Sequence, residues 1–327
     1  MKLLTFSSKT DNRQRAGIYL SDRVIDLEKA ATWIKVKNSY DAGLEPSFTV
    51  DGLLKEWSRY FSKLTGLSEI LLNVNPADII VDGQPAAFKS SDVIFLPPVI
   101  NPPSFRDFYA FEQHVKTARA LRNLRMIPEW YEFPVFYFSN PNAFLGHGQS
   151  LRKPDYTREL DYELEVACII GKAGRDISPD KAAEYIAGYT ILNDWSARDI
   201  QRKEMRVGLG PAKGKDFASG LGPYMVTPDE IEGFRKNKGY HLKMTAKKNG
   251  RLLSEGNFAD ITYSFEEMIA RASQGVTLFP GDVIGSGTVG TGCILELRPE
   301  RADGWIERGD MVELEIEHLG ILSTPVE

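Results

Sequence analysis

The sequence predicts a mostly-β chain with helices, an α+β fold arranged in two parts, and three observations lead there. The C-terminal runs Val283–Ile284, Ile294–Leu297 and Val312–Ile316 alternate in polarity and are punctuated by glycine, as antiparallel strands are. The regular strand–helix alternation of a doubly wound sheet is missing. The segment from Val93 to Pro103 is rich in proline, which fixes φ and removes backbone donors, so it suits a linker or a sheet edge. At about 150 residues per domain, 327 residues make roughly two domains. The proline segment divides the chain into a small N-terminal domain, 1–97, and a larger one, 98–327.

In the first part, Leu3–Phe6, Gly17–Leu20 and Arg23–Asp26 read as short strands. Leu53, Leu54, Trp57, Phe61 and Leu64 recur at helical spacing and form one apolar face. Beyond the boundary the pattern predicts a helix from Ser104 to Leu124, strands at Val135–Phe138 and Asp161–Ile170, and a helix around Pro179–Tyr185. An apolar run at Tyr189–Leu192 and a polar helix from Asp194 to Met205 follow. Ser264 and Glu267 form a capping box that opens a helix over Phe265–Ser273, and Gly275 closes it.

Forty Lys and Arg against forty-five Asp and Glu leave a net charge of −5, which gives a nucleic-acid backbone no electrostatic reason to bind. No segment approaches the roughly 18 apolar residues needed to span a bilayer. The N-terminus lacks the apolar stretch of a secretion signal, so a cytoplasmic location is expected. Cys168 and Cys293 sit in apolar runs as buried thiols do, which argues against a disulfide framework and a Cys-ligated zinc. Gly285-Ser-Gly287-Thr-Val-Gly290 matches a dinucleotide fingerprint, but the residues after it read as a strand where the pyrophosphate needs a helix N-terminus. Gly214-Lys215 resembles the end of a phosphate loop, yet Leu209 and Asp216 occupy positions such a loop reserves for Gly and for Ser or Thr.

Three groups of residues could carry chemistry. Asp161, Glu163 and Glu165 alternate along one strand and share a face, so they form either a solvated face or the oxygen set of a hard divalent cation. Asp194, Arg198 and Gln201 fall at i, i+4 and i+7 of the polar helix and line one stripe, unless Asp194 is only a cap with a surface ion pair. Asp107 and His114, seven apart, lie two turns apart on one helix face, with His147 as the competing imidazole.

In order along the chain, Asp107-Phe-Tyr-x4-His114, Asp161-Tyr-Glu163-Leu-Glu165, Asn193-Asp194-Trp-Ser-Ala-Arg198-Asp-Ile-Gln201, Gly214-Lys215-x-Phe217, Ser286-Gly-Thr288 and Leu295-Glu296-Leu297 resemble the fumarylacetoacetate hydrolase family, in particular its fumarylacetoacetase branch. The resemblance covers about residues 100 to 300. It implies an SH3-like barrel at the N-terminus, followed by a mixed β-sandwich roll, and a homodimer; charge and hydropathy already argue against a nucleic-acid or membrane partner. It further implies that Asp107, Glu163, Glu165 and Asp194 hold Mg²⁺ or Ca²⁺, with Mn²⁺ as an alternative. His114, oriented by Glu296, would activate water, while Arg198, Gln201 and Lys215 would face the developing charge. Tyr109, Tyr137 and Thr288 would bind substrate. Met205 and Ser219 depart from the branch, which has Tyr and Thr there, and Arg119, Arg122 and Arg125 compete for the role of a carboxylate-binding residue.

The reaction so implied is metal-dependent cleavage of a carbon–carbon bond in a 1,3-diketo acid such as fumarylacetoacetate, within tyrosine and homogentisate catabolism. An acylpyruvate hydrolase, or a 2-oxo acid decarboxylase or hydratase, is the alternative on the same site. A metal-binding protein without turnover is a third reading.

Overall fold

The computed structural model describes residues 1–9, 11–38, 43–44 and 49–327. Its centre is a twelve-stranded sheet. Ten of the strands are named here in chain order: β1 (Lys2–Ser8), β2 (Asp11–Leu20), β3 (Arg23–Asp26), β4 (Ala87–Lys89), β5 (Phe105–Phe108), β6 (Phe136–Ser139), β7 (Leu164–Ile170), β8 (Ile186–Asn193), β9 (Ser219–Val226) and β10 (Val283–Gly285). Across the sheet they run β4-β3-β2-β1-β9-β8-β7-β10-β5-β6, with Val93–Phe95 pairing β1 and Phe144–Leu145 pairing β9. The β10–β5 pairing is parallel. A second, four-stranded sheet joins Lys243–Lys248, Arg251–Asn257, Met311–Ile316 and Gly320–Pro325.

The N-terminal strands do not close on themselves. Lys2 pairs Val226 and Leu3 pairs Met225, so β1 adds the first three strands to the sheet of the C-terminal part. The expected SH3-like barrel is not formed, and no closed barrel occurs among the described residues. Helices α1 (Leu27–Asn38), α2 (Val50–Lys55) and α3 (Trp57–Leu72) pack with β1–β3 into one apolar cluster that also takes in Ile169, Ala187 and Met225 from β7, β8 and β9. The apolar face read across Leu53–Leu64 is real but broken. Glu56, at φ −125°, ends α2 and starts α3.

In the C-terminal part, α4 (Glu112–Ala120), α5 (Arg198–Val207), α6 (Phe265–Ser273) and the single turn α7 (Ile294–Leu297) lie outside the sheet. The capping box of α6 is present as read, with both hydrogen bonds made, and Gly275 follows at φ +71°. Pro179–Tyr185 is a 3₁₀ helix.

Four expectations are corrected. Ser104–Leu124 is not one helix: Phe105–Phe108 is a strand buried along its whole length, and only Glu112–Ala120 is helical. Two prolines before Phe105 and pairing to β10 and β6 favour the extended form there. The polar helix starts at Arg198 rather than Asp194, because Ser196–Ala197 pair with Leu160–Asp161. The strand from Asp161 to Ile170 is interrupted at Tyr162 and Glu163. Ile294–Leu297 is a helical turn, not a strand.

Among the described residues, no helix is long and apolar enough to cross a membrane.

Candidate active site

Strand ends bring the acidic residues together. Asp107 sits on β5 opposite Gly285 of β10, Glu165 sits on β7 opposite Leu192 of β8, and Asp194 follows the end of β8. Oxygens from these three carboxylates lie within 4.8 Å of one another, and all three residues are buried. The close approach depends on missing side chains. A Cβ on Gly285 would stand 2.3 Å from Asp107 Oδ1, and one on Gly287, whose φ is +78°, would stand 2.5 Å from the Phe108 carbonyl. Gly287 N–H donates to Asp107 Oδ1 at 3.2 Å and to Glu165 Oε2 at 3.1 Å. The Gly-x-Gly stretch thus cradles carboxylates rather than a pyrophosphate.

Solvation of a carboxylate face is overturned, since Asp161, Glu163 and Glu165 are all buried. Their partners differ. Arg198 donates from Nε to Asp161 at 2.8 Å, from Nη2 to Glu163 at 2.7 Å and from Nη1 to the Gln201 amide oxygen at 3.1 Å. Lys215 donates to Glu163 Oε2 at 2.5 Å and also to Asp194 Oδ2, as does the Tyr137 hydroxyl. Tyr137 also reaches Asp107 Oδ2 at 3.3 Å, and Thr288 Oγ1 reaches Glu165 Oε1 at the same distance.

This pairing sets the electrostatics. Burial opposes its charge, yet Lys215 and Arg198 hold Glu163 well below the usual carboxylate range. Burial, and then Asp194, push Asp107 up; burial, and then Asp107 and Glu163, push Glu165 up. Lys215 is raised: burial works against its charge, and Asp194 and Glu163 outweigh it. Asp194 Oδ1 is buried with no hydrogen-bond partner among the described residues.

A second cluster lies on α4 and α7. His114 Nδ1 meets Glu296 Oε1 at 2.5 Å, with the two side chains 6% and 2% exposed. Tyr109 packs edge-on against the imidazole at 5.4 Å between centroids, and burial pushes its hydroxyl up to about 12. His114 and Glu296 are paired, and the stretch from Asp107 to His114 is not two turns of helix but the end of a strand, a non-helical link at 109–111 and the first turn of α4. His147 belongs elsewhere: its Nδ1 accepts from Ser323 N–H at 3.2 Å and its ring rests on Phe95. Arg119 Nε donates to the Arg125 carbonyl at 2.6 Å and Arg122 Nε to the Ala118 carbonyl at 3.1 Å, and the charge of Arg122 also pulls on the Tyr109 hydroxyl. Met205 is exposed on α5 and Ser219 is buried on β9.

Two contributions are not apparent from the sequence. Asp161 lies outside the group formed by Asp107, Glu165 and Asp194 and accepts the N–H groups of Ile294 and Leu295 at 2.8 and 3.0 Å. It thereby fixes the turn that carries Glu296, and it fills the helix N-terminus that follows the Gly-rich stretch. The dinucleotide reading thus fails for a different reason from the strand expected there. The thiol of Cys293 lies 3.7 Å from Glu296 Oε1; only its place three residues before Glu296 hints at this.

A mixed sheet whose strand ends gather buried carboxylates beside a His–Glu pair defines an acid–base enzyme site able to accept a hard cation. The chain belongs to the fumarylacetoacetate hydrolase family: residues 104–327 match the family described as fumarylacetoacetate (FAA) hydrolase C-terminal. It is 33% identical over 199 residues to oxaloacetate tautomerase YisK of Bacillus subtilis (strain 168), a match covering 60% of this chain and 62% of that one. It is 29% identical over 388 residues to the fumarylacetoacetase of Arabidopsis thaliana, covering 94% of this chain and 88% of the other. The structure of maleylpyruvate hydrolase from Sphingobium sp. SYK-6, in complex with manganese(II) ion and pyruvate, shares the fold. Its TM-score is 0.68 at 23% identity, covering 100% of this chain and 98% of that one.

Proposed function

We propose that this protein is a divalent-cation-dependent hydrolase that cleaves a carbon–carbon bond in a 1,3-diketo acid, fumarylacetoacetate or a close analogue such as an acylpyruvate. The observation that carries this reading is a buried His114–Glu296 pair beside buried carboxylates that the protein's own cations leave partly uncompensated. The donor set suits Mg²⁺, Ca²⁺ or Mn²⁺, because three carboxylates from three chain segments converge and one of their oxygens has no partner among the described residues. Of the four expected ligands, Asp107, Glu165 and Asp194 would hold the ion, whereas Glu163, engaged by Lys215 and Arg198, lies outside that group and would keep those cations in place. A cation bound there supplies Lewis-acid polarisation of a carbonyl.

The chain's own groups do the rest. With Nδ1–H donated to Glu296, His114 Nε2 is left as the acceptor that takes a proton from water. The hydroxide so formed adds to a carbonyl carbon of the substrate. The bond to the neighbouring carbon then breaks, its electron pair leaves with the departing fragment, and His114 returns the proton to that fragment. Glu296 fixes the tautomer and offsets the imidazolium charge between these steps. Tyr109, which packs on His114, and Arg122 beside it would meet a substrate carboxylate; Gln201, Arg198 and Thr288 would orient its oxygens.

A second reading is enol–keto tautomerisation of a 2-oxo acid, favoured by the likeness to relatives named oxaloacetate tautomerases. The same imidazole would move a proton between carbon and oxygen, and no water would be consumed. EDTA-treated protein refilled with Mg²⁺, Mn²⁺ or Ca²⁺ separates the two. The proposal expects metal-restored loss of the diketone absorbance with fumarylacetoacetate or acylpyruvates, and a fall of about 10²- to 10⁴-fold in kcat in His114→Ala. Turnover confined to the enol absorbance of oxaloacetate would replace hydrolysis with the tautomerase reading. Tyrosine catabolism follows only if fumarylacetoacetate is the substrate cleaved.

A further inference from the structure

Glu296 is gripped through both of its oxygens. Oε1 takes His114 Nδ1–H at 2.5 Å and faces Cys293 Sγ at 3.7 Å, while Oε2 accepts Thr291 N–H at 3.2 Å. Thr291 stands at φ +66°, a costly conformation for a β-branched residue that persists only where its surroundings impose it. Its Oγ1 donates to the Glu255 carbonyl at 3.0 Å, which pins it there. Cys293 is completely buried and occupies the N-cap of α7, yet its side chain caps nothing. Asp161 performs the capping instead, so the thiol is free to face the carboxylate.

We propose that Cys293 is a positioning residue: its S–H, donated to Glu296 Oε1, acts with the Thr291 N–H to lock the carboxylate plane and so the imidazole of His114. The inference rests on His114 being the proton acceptor of the reaction. The terminal torsion of a glutamate is broad and roughly two-fold, so with the Thr291 N–H holding Oε2, a second donor on Oε1 narrows the range over which the carboxylate can turn relative to Nδ1–H. A thiol is a weak donor, which makes the contribution modest.

The test uses the full-length, metal-loaded protein. Cys293→Ala is expected to lower kcat roughly 3- to 10-fold at unchanged KM, the scale of one hydrogen bond. Cys293→Ser, which restores a donor, is expected to return kcat to within about twofold of the parent. In a Glu296→Gln background Cys293→Ala should add nothing. The Nδ1 proton of His114, followed by NMR in protein labelled at histidine nitrogen, should shift in Cys293→Ala and return in Cys293→Ser. That readout needs no substrate. If the parent turns over none of the acids offered, the catalytic reading fails while the NMR arm still decides whether the thiol positions the dyad. An Ala variant with parental kcat and an unmoved Nδ1 proton, or a Ser variant as impaired as the Ala variant, overturns the proposal.

Discussion

Glu163 and Glu165 stand two residues apart, both fully buried, and yet their carboxyl groups are driven in opposite directions. Glu163 meets the Lys215 ammonium and the Arg198 guanidinium, which outweigh the cost of burying its charge. Glu165 meets Asp107, backbone and hydroxyl donors, and no cation among the described residues, so burial and like charge reinforce each other. The break in the strand at Tyr162–Glu163 sends the two carboxylates to different neighbours. One half of the site is neutralised from within the chain, and the other is left uncompensated by it.

Breaking the internally neutralised half should have the larger effect. Lys215→Met removes one partner from Glu163 and one from Asp194 while both stay buried, which should cost about 3–5 kcal/mol in denaturant unfolding. A loss under about 1 kcal/mol would mean that Arg198 and Tyr137 alone suffice to carry these carboxylates. The other half predicts the reverse pattern. Glu165→Gln should leave the metal-free protein as stable as the parent or more so, because it removes a like charge while the amide oxygen still accepts one of the two bonds from Gly287 N–H and Thr288 Oγ1. The parent should gain about 2.7 kcal/mol from Mn²⁺ at a hundred times its Kd, and the variant should lose most of that gain. Equal stabilisation of the two proteins in a thermal melt would remove Glu165 from the cation site.

The His114–Glu296 partnership came only through the family resemblance, whereas the carboxylates were legible in residue type and spacing. Their geometry was not, since it is fixed by contacts far along the chain. Asp107 seemed helical because Phe105-Arg-Asp-Phe108 is buried on both sides and so shows no period-two alternation; its extended form depends on pairing with Val283–Gly285. Ile294–Leu297 alternates like a strand, and only the carboxylate of Asp161, 133 residues earlier, makes it a helical turn. The N-terminal strands were visible locally, but nothing in them announces that β1 will pair with β9 instead of closing a barrel.

Two histidines repeat the comparison on a smaller scale. His114 has a carboxylate on Nδ1, whereas Nδ1 of His147 accepts a backbone N–H from Ser323 and must stay unprotonated to do so. Burial pushes His147 below its ordinary value, and its bond to the Ile321 backbone only partly opposes this. The unfolded chain therefore binds a proton at this site before the folded one does. The stability that neutral His147 contributes is present above the unfolded value, near 6.5, and is lost as pH falls from there through the lower folded value. His147→Gln, whose amide oxygen can still accept the Ser323 N–H, should flatten that part of the profile. The expected result is a melting temperature that falls less between pH 6.5 and 5 in the variant than in the parent. Parallel curves would show that His147 does not take up its proton more readily on unfolding.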